Sequence, residues 1–114
     1  MTIPSVQALS ADFSVAPQLE PQSMARLAQA GYKSVINNRP DFEGGPDQPT
    51  NASIEAAAKA AGLAYAYLPV ASGYQSPEEI ARFSELIATL PKPVLAFCRS
   101  GTRSGKLYRA ATGG

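Results

Sequence analysis

Short apolar runs alternate with segments of helical spacing along the chain. The apolar runs predict buried strands at Phe13–Ala16, Ser34–Asn37, residues 64–70 and Val94–Phe97. The intervening segments carry apolar side chains on one face and predict helices over residues 21–30, 51–61, 77–90 and 104–111. Strands that alternate with helices favour an α/β fold, in which a mostly parallel sheet is flanked by helices on both faces.

Proline and glycine mark the ends of these predicted helices. Pro21 is expected at the first helical position of the first helix, and Gly31 is expected just past its end. Gly62 is expected to end the second helix. The run SPEE at residues 76–79 has the pattern of a capping box, so its two glutamates, Glu78 and Glu79, are expected to act on the helix dipole rather than in catalysis.

Two loops are candidates for ligand binding, because parallel sheets bind ligands beyond the carboxyl ends of their strands. One is the loop over residues 38–49, which follows Asn37 and is rich in glycine, proline and aspartate. The other follows Phe97. Tyr65 and Tyr67 alternate in the strand between them and are interpreted as packing residues rather than as a binding stripe.

Composition predicts an ordinary globular domain. The 114 residues are enough for one core, so residues 1–114 are predicted to form a single domain. A net charge of +1 indicates neither a nucleic-acid partner nor an anionic membrane. The first residues lack the pattern of a signal peptide, and the single cysteine forms no internal disulfide, so a cytoplasmic location is expected.

The single cysteine, Cys98, is the candidate nucleophile. It follows the last predicted strand and begins the run CRSGTRS at residues 98–104. Nearby arginine charge and the start of a helix favour a thiolate, and the free N–H groups of such a turn bind an oxyanion. A small buried structural cysteine is the alternative, but burying the two neighbouring arginines unpaired would cost several kcal/mol. The expected catalytic residues are Cys98 and Arg103, and the expected anion-binding residues of the loop are Arg99, Ser100, Gly101, Thr102 and Ser104.

The absence of histidine narrows the chemistry. It excludes a Cys-His pair and a Ser-His-Asp triad. A zinc site would need the single cysteine together with carboxylates, so no metal site and no cofactor are predicted. Loop amides and arginines are therefore expected to activate Cys98.

Several segments together resemble the phosphatase-like domain of beta-lactamase-hydrolase-like proteins. They are residues 34–41 (SVINNRPD), 62–65 (GLAY) with 68–70 (LPV), and 98–104 (CRSGTRS), and the resemblance runs in register from about Leu9 to Leu107. It implies a fold similar to that of dual-specificity and tyrosine phosphatases. In some relatives this domain is fused to a metallo-hydrolase-type persulfide dioxygenase or lies near other sulfide-handling proteins.

The loop departs from the pattern of cysteine phosphatases in two ways. Those enzymes have a cysteine, five intervening residues and an arginine, usually with a histidine before the cysteine. Here Phe97 precedes Cys98, four residues separate Cys98 from Arg103, and Ser104 stands where the phosphatase arginine would be. The six residues from Cys98 to Arg103 instead resemble the active loop of rhodaneses.

Phosphatases and rhodaneses also differ in whether they need a proton donor. A phosphatase needs an acid for its leaving group, but residues 71–75, the counterpart of the usual acid loop, contain no carboxylate. Asp41 or Glu43 would serve only if the loop after Asn37 folds over the site. Arg39 is expected either to be a surface arginine paired with one of these carboxylates or to add positive charge to the rim of the anion site.

Sulfur transfer requires only positioning and anion stabilisation. The first hypothesis is therefore a rhodanese-like sulfurtransferase, which moves sulfane sulfur from thiosulfate or a low-molecular-weight persulfide through a Cys98 persulfide to a thiol acceptor such as glutathione. Arg103 would bind the anionic group of the donor, and Arg99 would tune the thiolate and the rim. The alternatives are a cysteine phosphatase, which hydrolyses a phosphate ester through a Cys98 phosphocysteine, and a non-catalytic module that binds an anion or a partner.

Overall fold

A computed structural model describes residues 5–113, which form five strands and four helices. The strands are β1 (Gln7–Ser10), β2 (Phe13–Ala16), β3 (Ser34–Asn37), β4 (Ala64–Tyr67) and β5 (Val94–Phe97). The helices are α1 (Ser23–Gln29), α2 (Asn51–Ala60), α3 (Pro77–Thr89) and α4 (Thr102–Thr112). Residues 1–4, the first part of the segment expected to lack a signal peptide, lie outside the described residues.

The strands form one mixed sheet in the order β1-β2-β5-β3-β4. The last four run parallel to one another, and β1 pairs antiparallel with β2. The prediction of a mostly parallel α/β sheet is confirmed. Strand β1 was not predicted, because most of its side chains are exposed and it carries no buried apolar run.

Two apolar layers hold the helices against the sheet. Leu95 and Phe97 of β5 pack in the cluster that includes side chains of α1 and α2, whereas Val94 and Ala96 pack in the cluster that includes side chains of α3 and α4. Alternate residues of a strand point to opposite faces, so β5 is buried on both sides. No helix within residues 5–113 has the length and apolar character needed to cross a membrane.

Three predicted boundaries were wrong by two residues or more. Helix α1 begins at Ser23 rather than Pro21, because the N–H of Ser23 bonds to the carbonyl of Glu20 in a preceding turn. Strand β4 ends at Tyr67 rather than at residue 70, because Pro69 has no N–H to continue a ladder. Helix α4 begins at Thr102 rather than at Ser104, because a glycine in a left-handed conformation turns the chain directly into the helix. The remaining helix ends differ by one residue from the prediction.

The capping box of α3 is present as predicted. Ser76 Oγ accepts a hydrogen bond from the Glu79 N–H at 3.1 Å, and Glu79 Oε1 accepts one from the Ser76 N–H at 2.8 Å. Glu78 also lies in this first turn. Both glutamates therefore lie where they interact favourably with the helix dipole.

Candidate active site

The two candidate loops meet at one edge of the sheet. Strands β3 and β5 are neighbours, and Asn37 lies opposite Phe97 in their register. The loops that follow these strands line an open pocket of about 770 Å³ at the carboxyl ends of the parallel strands, together with residues of α4. The residues that line it are Arg39, Glu43, Gly44, Ser72, Cys98, Arg99, Ser100, Thr102, Arg103 and Lys106.

Cys98 lines this pocket although only 1% of its surface is exposed. Its Sγ accepts a hydrogen bond from the Gly101 N–H at 3.1 Å, and its own N–H donates to the carbonyl of Ala16 at 3.4 Å. Gly101 has φ +90° and is the N-cap of α4. The turn from β5 to α4 thus aims one backbone donor at the sulfur, and the N–H groups of the first helical turn have no acceptors within the helix.

Replacing Gly101 by alanine tests this turn. A Cβ at Gly101 would have φ +90° and lie 3.4 Å from the Ala16 backbone, so we expect a loss of about 1–2 kcal/mol in the free energy of unfolding. Gly62→Ala is the matched control, because Gly62 has φ +81° with no atom within 4 Å of its Cβ position. Thermal unfolding should show a loss in both variants, whereas alkylation of Cys98 by iodoacetamide should slow only in Gly101→Ala. An unchanged alkylation rate in Gly101→Ala would show that the turn geometry at Gly101 does not set the reactivity of the sulfur.

Arg103 lies in the first turn of α4 and is only 5% exposed. Its Nη1 donates to the carbonyl of Val70 at 2.9 Å and to that of Asn38 at 3.4 Å, and its Nη2 donates to Glu43 Oε1 at 3.0 Å. Its Nε is buried and has no hydrogen-bond partner within residues 5–113. A buried donor is costly to leave unpaired, and the protein contacts within residues 5–113 leave one donor of this guanidinium unsatisfied.

Glu43 joins the two arginines of the pocket. Its Oε1 accepts hydrogen bonds from Arg103 Nη2 at 3.0 Å and from Arg39 Nε at 2.9 Å. Arg39 Nη1 also donates to Gln18 Oε1 at 3.1 Å. Arg39 is paired with Glu43, one of the two carboxylates expected for it, but its side chain is only 11% exposed and so does not lie at the surface. It lines the pocket as well.

The same contacts set the charge of Glu43. Burial raises the pKa of its carboxyl, but the hydrogen bonds from Arg103 and Arg39 and their positive charges together lower that pKa by more, so the net pKa lies below the ordinary 4.5. Glu43 is therefore ionised at neutral pH. It holds the arginines and has no proton to give to a leaving group.

Asp41 does not reach the pocket. Its Oδ1 accepts a hydrogen bond from the Asn51 N–H at 2.7 Å, at the start of α2. The loop after Asn37 does fold over the site. It places Glu43 in the pocket, whereas Asp41 lies at the start of α2. Ser72 lines the pocket from the loop that contains no carboxylate.

Hydroxyl groups of the two tyrosines hold this loop in place, a role that the packing interpretation missed. Tyr67 OH accepts a hydrogen bond from the Asp41 N–H at 2.9 Å, and Tyr65 OH donates to Asn51 Oδ1 at 2.6 Å. Burial raises the pKa of both hydroxyls, so both remain protonated. The signal was available in the sequence, because a half-buried tyrosine hydroxyl usually finds a partner.

The other predicted loop residues fall into two groups. Arg99, Ser100 and Thr102 line the pocket and are exposed, and Ser100 Oγ accepts a hydrogen bond from the Thr102 N–H at 3.4 Å. Ser104 is fully buried and does not line the pocket, because its Oγ donates to Asn38 Oδ1 at 2.8 Å. Its side chain fastens α4 to the loop after β3, so only its N–H remains for the predicted anion site.

Sequence reasoning missed Gln18, Gly44 and Lys106. Gln18 bridges the two loops, since its N–H donates to the Arg99 carbonyl at 3.2 Å while its side chain accepts from Arg39. Gly44 leaves room for Arg39, because a Cβ there would lie 2.5 Å from the Arg39 Nη2. Lys106 had a signal in the sequence, since it follows Arg103 by three residues and so lies on the same face of a helix. Within residues 5–113, no three histidine, cysteine, aspartate or glutamate side chains are grouped so that they could hold a metal ion.

Comparison with known proteins assigns the family. A family model described as "Beta-lactamase hydrolase-like protein, phosphatase-like domain" matches residues 5–114. The chain belongs to this family. A beta-lactamase hydrolase-like protein of Xylella fastidiosa is 41% identical over 95 residues, which are 83% of this chain and 22% of that protein. The chain thus spans about a fifth of the length of that curated relative, and the resemblance seen in the sequence is confirmed.

Solved structures confirm the expected fold. A phosphatase candidate from Neisseria meningitidis shares 34% sequence identity, with a TM-score of 0.82 over 90% of this chain and 72% of that chain. TpbA from Pseudomonas aeruginosa, in complex with phosphotyrosine, shares 19% identity, with a TM-score of 0.70 over 96% of this chain and 64% of that chain. This phosphatase-like family and fold favour the phosphatase alternative over the sulfurtransferase interpretation.

Proposed function

We propose that this domain is a cysteine-dependent phosphatase that hydrolyses phosphate monoesters through a Cys98 phosphocysteine. The observation that carries the proposal is one pocket lined by both the sulfur-bearing residue and Arg103, whose buried Nε lacks a partner within residues 5–113. A phosphoryl group fits this arrangement, because it offers an electrophile to the sulfur and oxygen acceptors to the guanidinium. Membership of a phosphatase-like family supports the same chemistry.

The reaction has two steps. The Cys98 thiolate attacks phosphorus, an S–P bond forms, and the bond from phosphorus to the leaving oxygen breaks with its electron pair on that oxygen. Water then attacks the phosphocysteine, the S–P bond breaks, and inorganic phosphate and the thiolate are released. In both steps Arg103 Nε and the first-turn N–H groups of α4 bind the negative charge on the phosphoryl oxygens.

The leaving group must depart with little help from an acid. Glu43 is ionised and bonded to Arg39 and Arg103, and among residues 5–113 it is the only carboxylate that lines the pocket. A phenolate leaves far more readily than an alkoxide, so we propose aryl phosphates as the preferred monoesters. TpbA, which has the same fold, was crystallised with an aryl phosphate, phosphotyrosine.

Phosphate release tests the proposal. The full chain and its Cys98→Ser variant are each incubated with p-nitrophenyl phosphate at neutral pH, and released phosphate is measured. We expect release by the full chain, none above background by the variant, and one phosphoryl group on Cys98 in a rapidly quenched sample by mass spectrometry. No release by the full chain, or equal release by the variant, would overturn the proposal.

A sulfurtransferase is the second candidate, and the ionised state of Glu43 favours it. Sulfite and thiolates depart as anions, so the transfer of sulfane sulfur to Cys98 needs no acid in the pocket. The same two proteins are incubated with thiosulfate and cyanide, or with glutathione persulfide. Thiocyanate or transferred sulfur that depends on Cys98, without phosphate release, would establish this function instead. If neither phosphate nor transferred sulfur is formed, the remaining alternative is a non-catalytic module that binds an anion or a partner.

A further inference from the structure

Positive charge is concentrated at the pocket. The chain carries 10 lysines and arginines against 9 aspartates and glutamates. In the described part of the chain, four basic residues and one acidic residue line the pocket, so an excess of three positive charges faces it. The basic residues are Arg39, Arg99, Arg103 and Lys106.

These four cations differ in their contacts. Arg39 and Arg103 are buried and share Glu43. Arg99 and Lys106 are exposed, and neither forms a salt bridge anywhere in the described range of residues 5–113. The inner pair is thus partly neutralised, whereas the outer pair keeps its full charge for a ligand.

The outer pair lies on either side of Arg103 along the chain and lines the same pocket. Lys106 follows Arg103 by three residues on the same helical face, and Arg99 belongs to the turn that precedes the helix. The pocket of about 770 Å³ has the volume of sites that hold drug-sized ligands, which exceeds the space needed by one phosphoryl group. There is room beside the scissile group for a second anionic group.

We infer that the preferred ligand is a small aryl phosphate that carries a second phosphate group beside the scissile one, bound by Arg99 and Lys106. The scissile group lies at Cys98 and Arg103, as the proposed function requires, and the second group lies at the outer pair. The reaction class rests on the proposed function, but the preference for two phosphates is a property of binding and needs no turnover.

Binding to the Cys98→Ser chain tests the inference by titration calorimetry. The probes are orthophosphate, pyrophosphate and tripolyphosphate. We expect the Kd to fall from the first to the last, and this preference should weaken as ionic strength rises because the outer cations are exposed. Equal Kd values for the three probes would overturn the inference.

Lys106→Gln, added to the Cys98→Ser chain, tests the outer pair directly. We expect it to raise the Kd for pyrophosphate about two- to fivefold more than the Kd for orthophosphate, the size of an exposed ion pair. Arg99→Gln should act in the same way. Lys33→Gln is the matched control, because Lys33 directly precedes β3 at the opposite end of the sheet from the pocket.

Each other outcome has a definite meaning. If Lys106→Gln raises both Kd values equally, or if Lys33→Gln has the same selective effect, the second phosphate site does not exist. If a phosphotyrosine peptide with acidic neighbours binds more tightly than tripolyphosphate, the outer pair binds protein substrates and the inference is wrong. If no phosphate is released but the preference for ligands with two or more phosphates is observed, only the proposed hydrolysis is refuted. If phosphate is released but that preference is absent, only this inference is refuted.

Discussion

Arg103→Lys is expected to lower kcat/KM for p-nitrophenyl phosphate by about 100- to 1,000-fold, the range measured when one donor to a transition-state oxyanion is lost. Lysine keeps the positive charge but has no planar fork. A lysine at this position cannot donate to both the Val70 carbonyl and the Glu43 carboxylate while it keeps a further donor fixed beside the phosphoryl group. The loss should lie mostly in kcat, because charge on the oxygens develops in the transition state.

Steady-state kinetics of phosphate release check this prediction, with Arg82→Lys as the matched control. Arg82 lies on α3, is exposed and is paired with Glu85, so its replacement should change kcat/KM little. Circular dichroism establishes that both variants are folded. Activity of a folded Arg103→Lys within tenfold of the parent would show that the unpartnered Nε is not the donor to the phosphoryl group.

The sheet was predictable where burial leaves a pattern in the sequence. Strands β2, β3 and β5 are buried at every position, and their apolar runs located them to the residue. Strand β1 lies at the edge of the sheet and has mostly exposed side chains, so no periodicity distinguished it from a loop. The start of α4 was missed because it depends on the backbone conformation of Gly101, which residue type allows but does not dictate.

The candidate site was predictable where its residues are adjacent in the chain. Cys98 and Arg103 belong to one short run, and local chemistry was enough to select them. The bond of Glu43 to Arg103 and the role of Gln18 were not predicted, because these partners are distant in sequence: Arg103 and Glu43 are 60 residues apart, and Arg39 and Gln18 are 21 residues apart. Such contacts depend on the order of the strands and on how the tyrosines hold the loop after β3, which spacing along the chain does not reveal.

Glu43→Gln is expected to lower the free energy of unfolding at neutral pH by about 1–2 kcal/mol, which corresponds to about 4–8 °C in Tm. The substitution removes the negative charge that both arginines share. The expected loss in the free energy of unfolding is smaller than for a fully buried ion pair, because 27% of the Glu43 side chain is exposed. Thermal unfolding followed by circular dichroism measures it. Glu55→Gln is the matched control, since Glu55 forms an exposed pair with Lys59 and should contribute little.

The difference between Glu43→Gln and the parent should depend on pH. The pKa of Glu43 is lowered in the folded state, so its contribution is fully present above the unfolded value of about 4.5 and is lost as the pH falls through the lower folded value. The two Tm values should therefore converge in acid below pH 4.5. A Tm difference that stayed constant down to the acid unfolding of the parent would mean that the ionised carboxylate is not the stabilising group.

Kinetics of the same variant separate a positioning role from an acid role. An acid is needed most by poor leaving groups, so loss of a general acid would reduce the hydrolysis of phenyl phosphate far more than that of p-nitrophenyl phosphate. Because Glu43 is ionised and orients Arg103, we expect Glu43→Gln to lower kcat/KM for both substrates by a similar factor. Asp41→Asn, outside the pocket, should leave the ratio of the two rates unchanged. A selective loss with phenyl phosphate in Glu43→Gln would instead assign the leaving-group proton to Glu43.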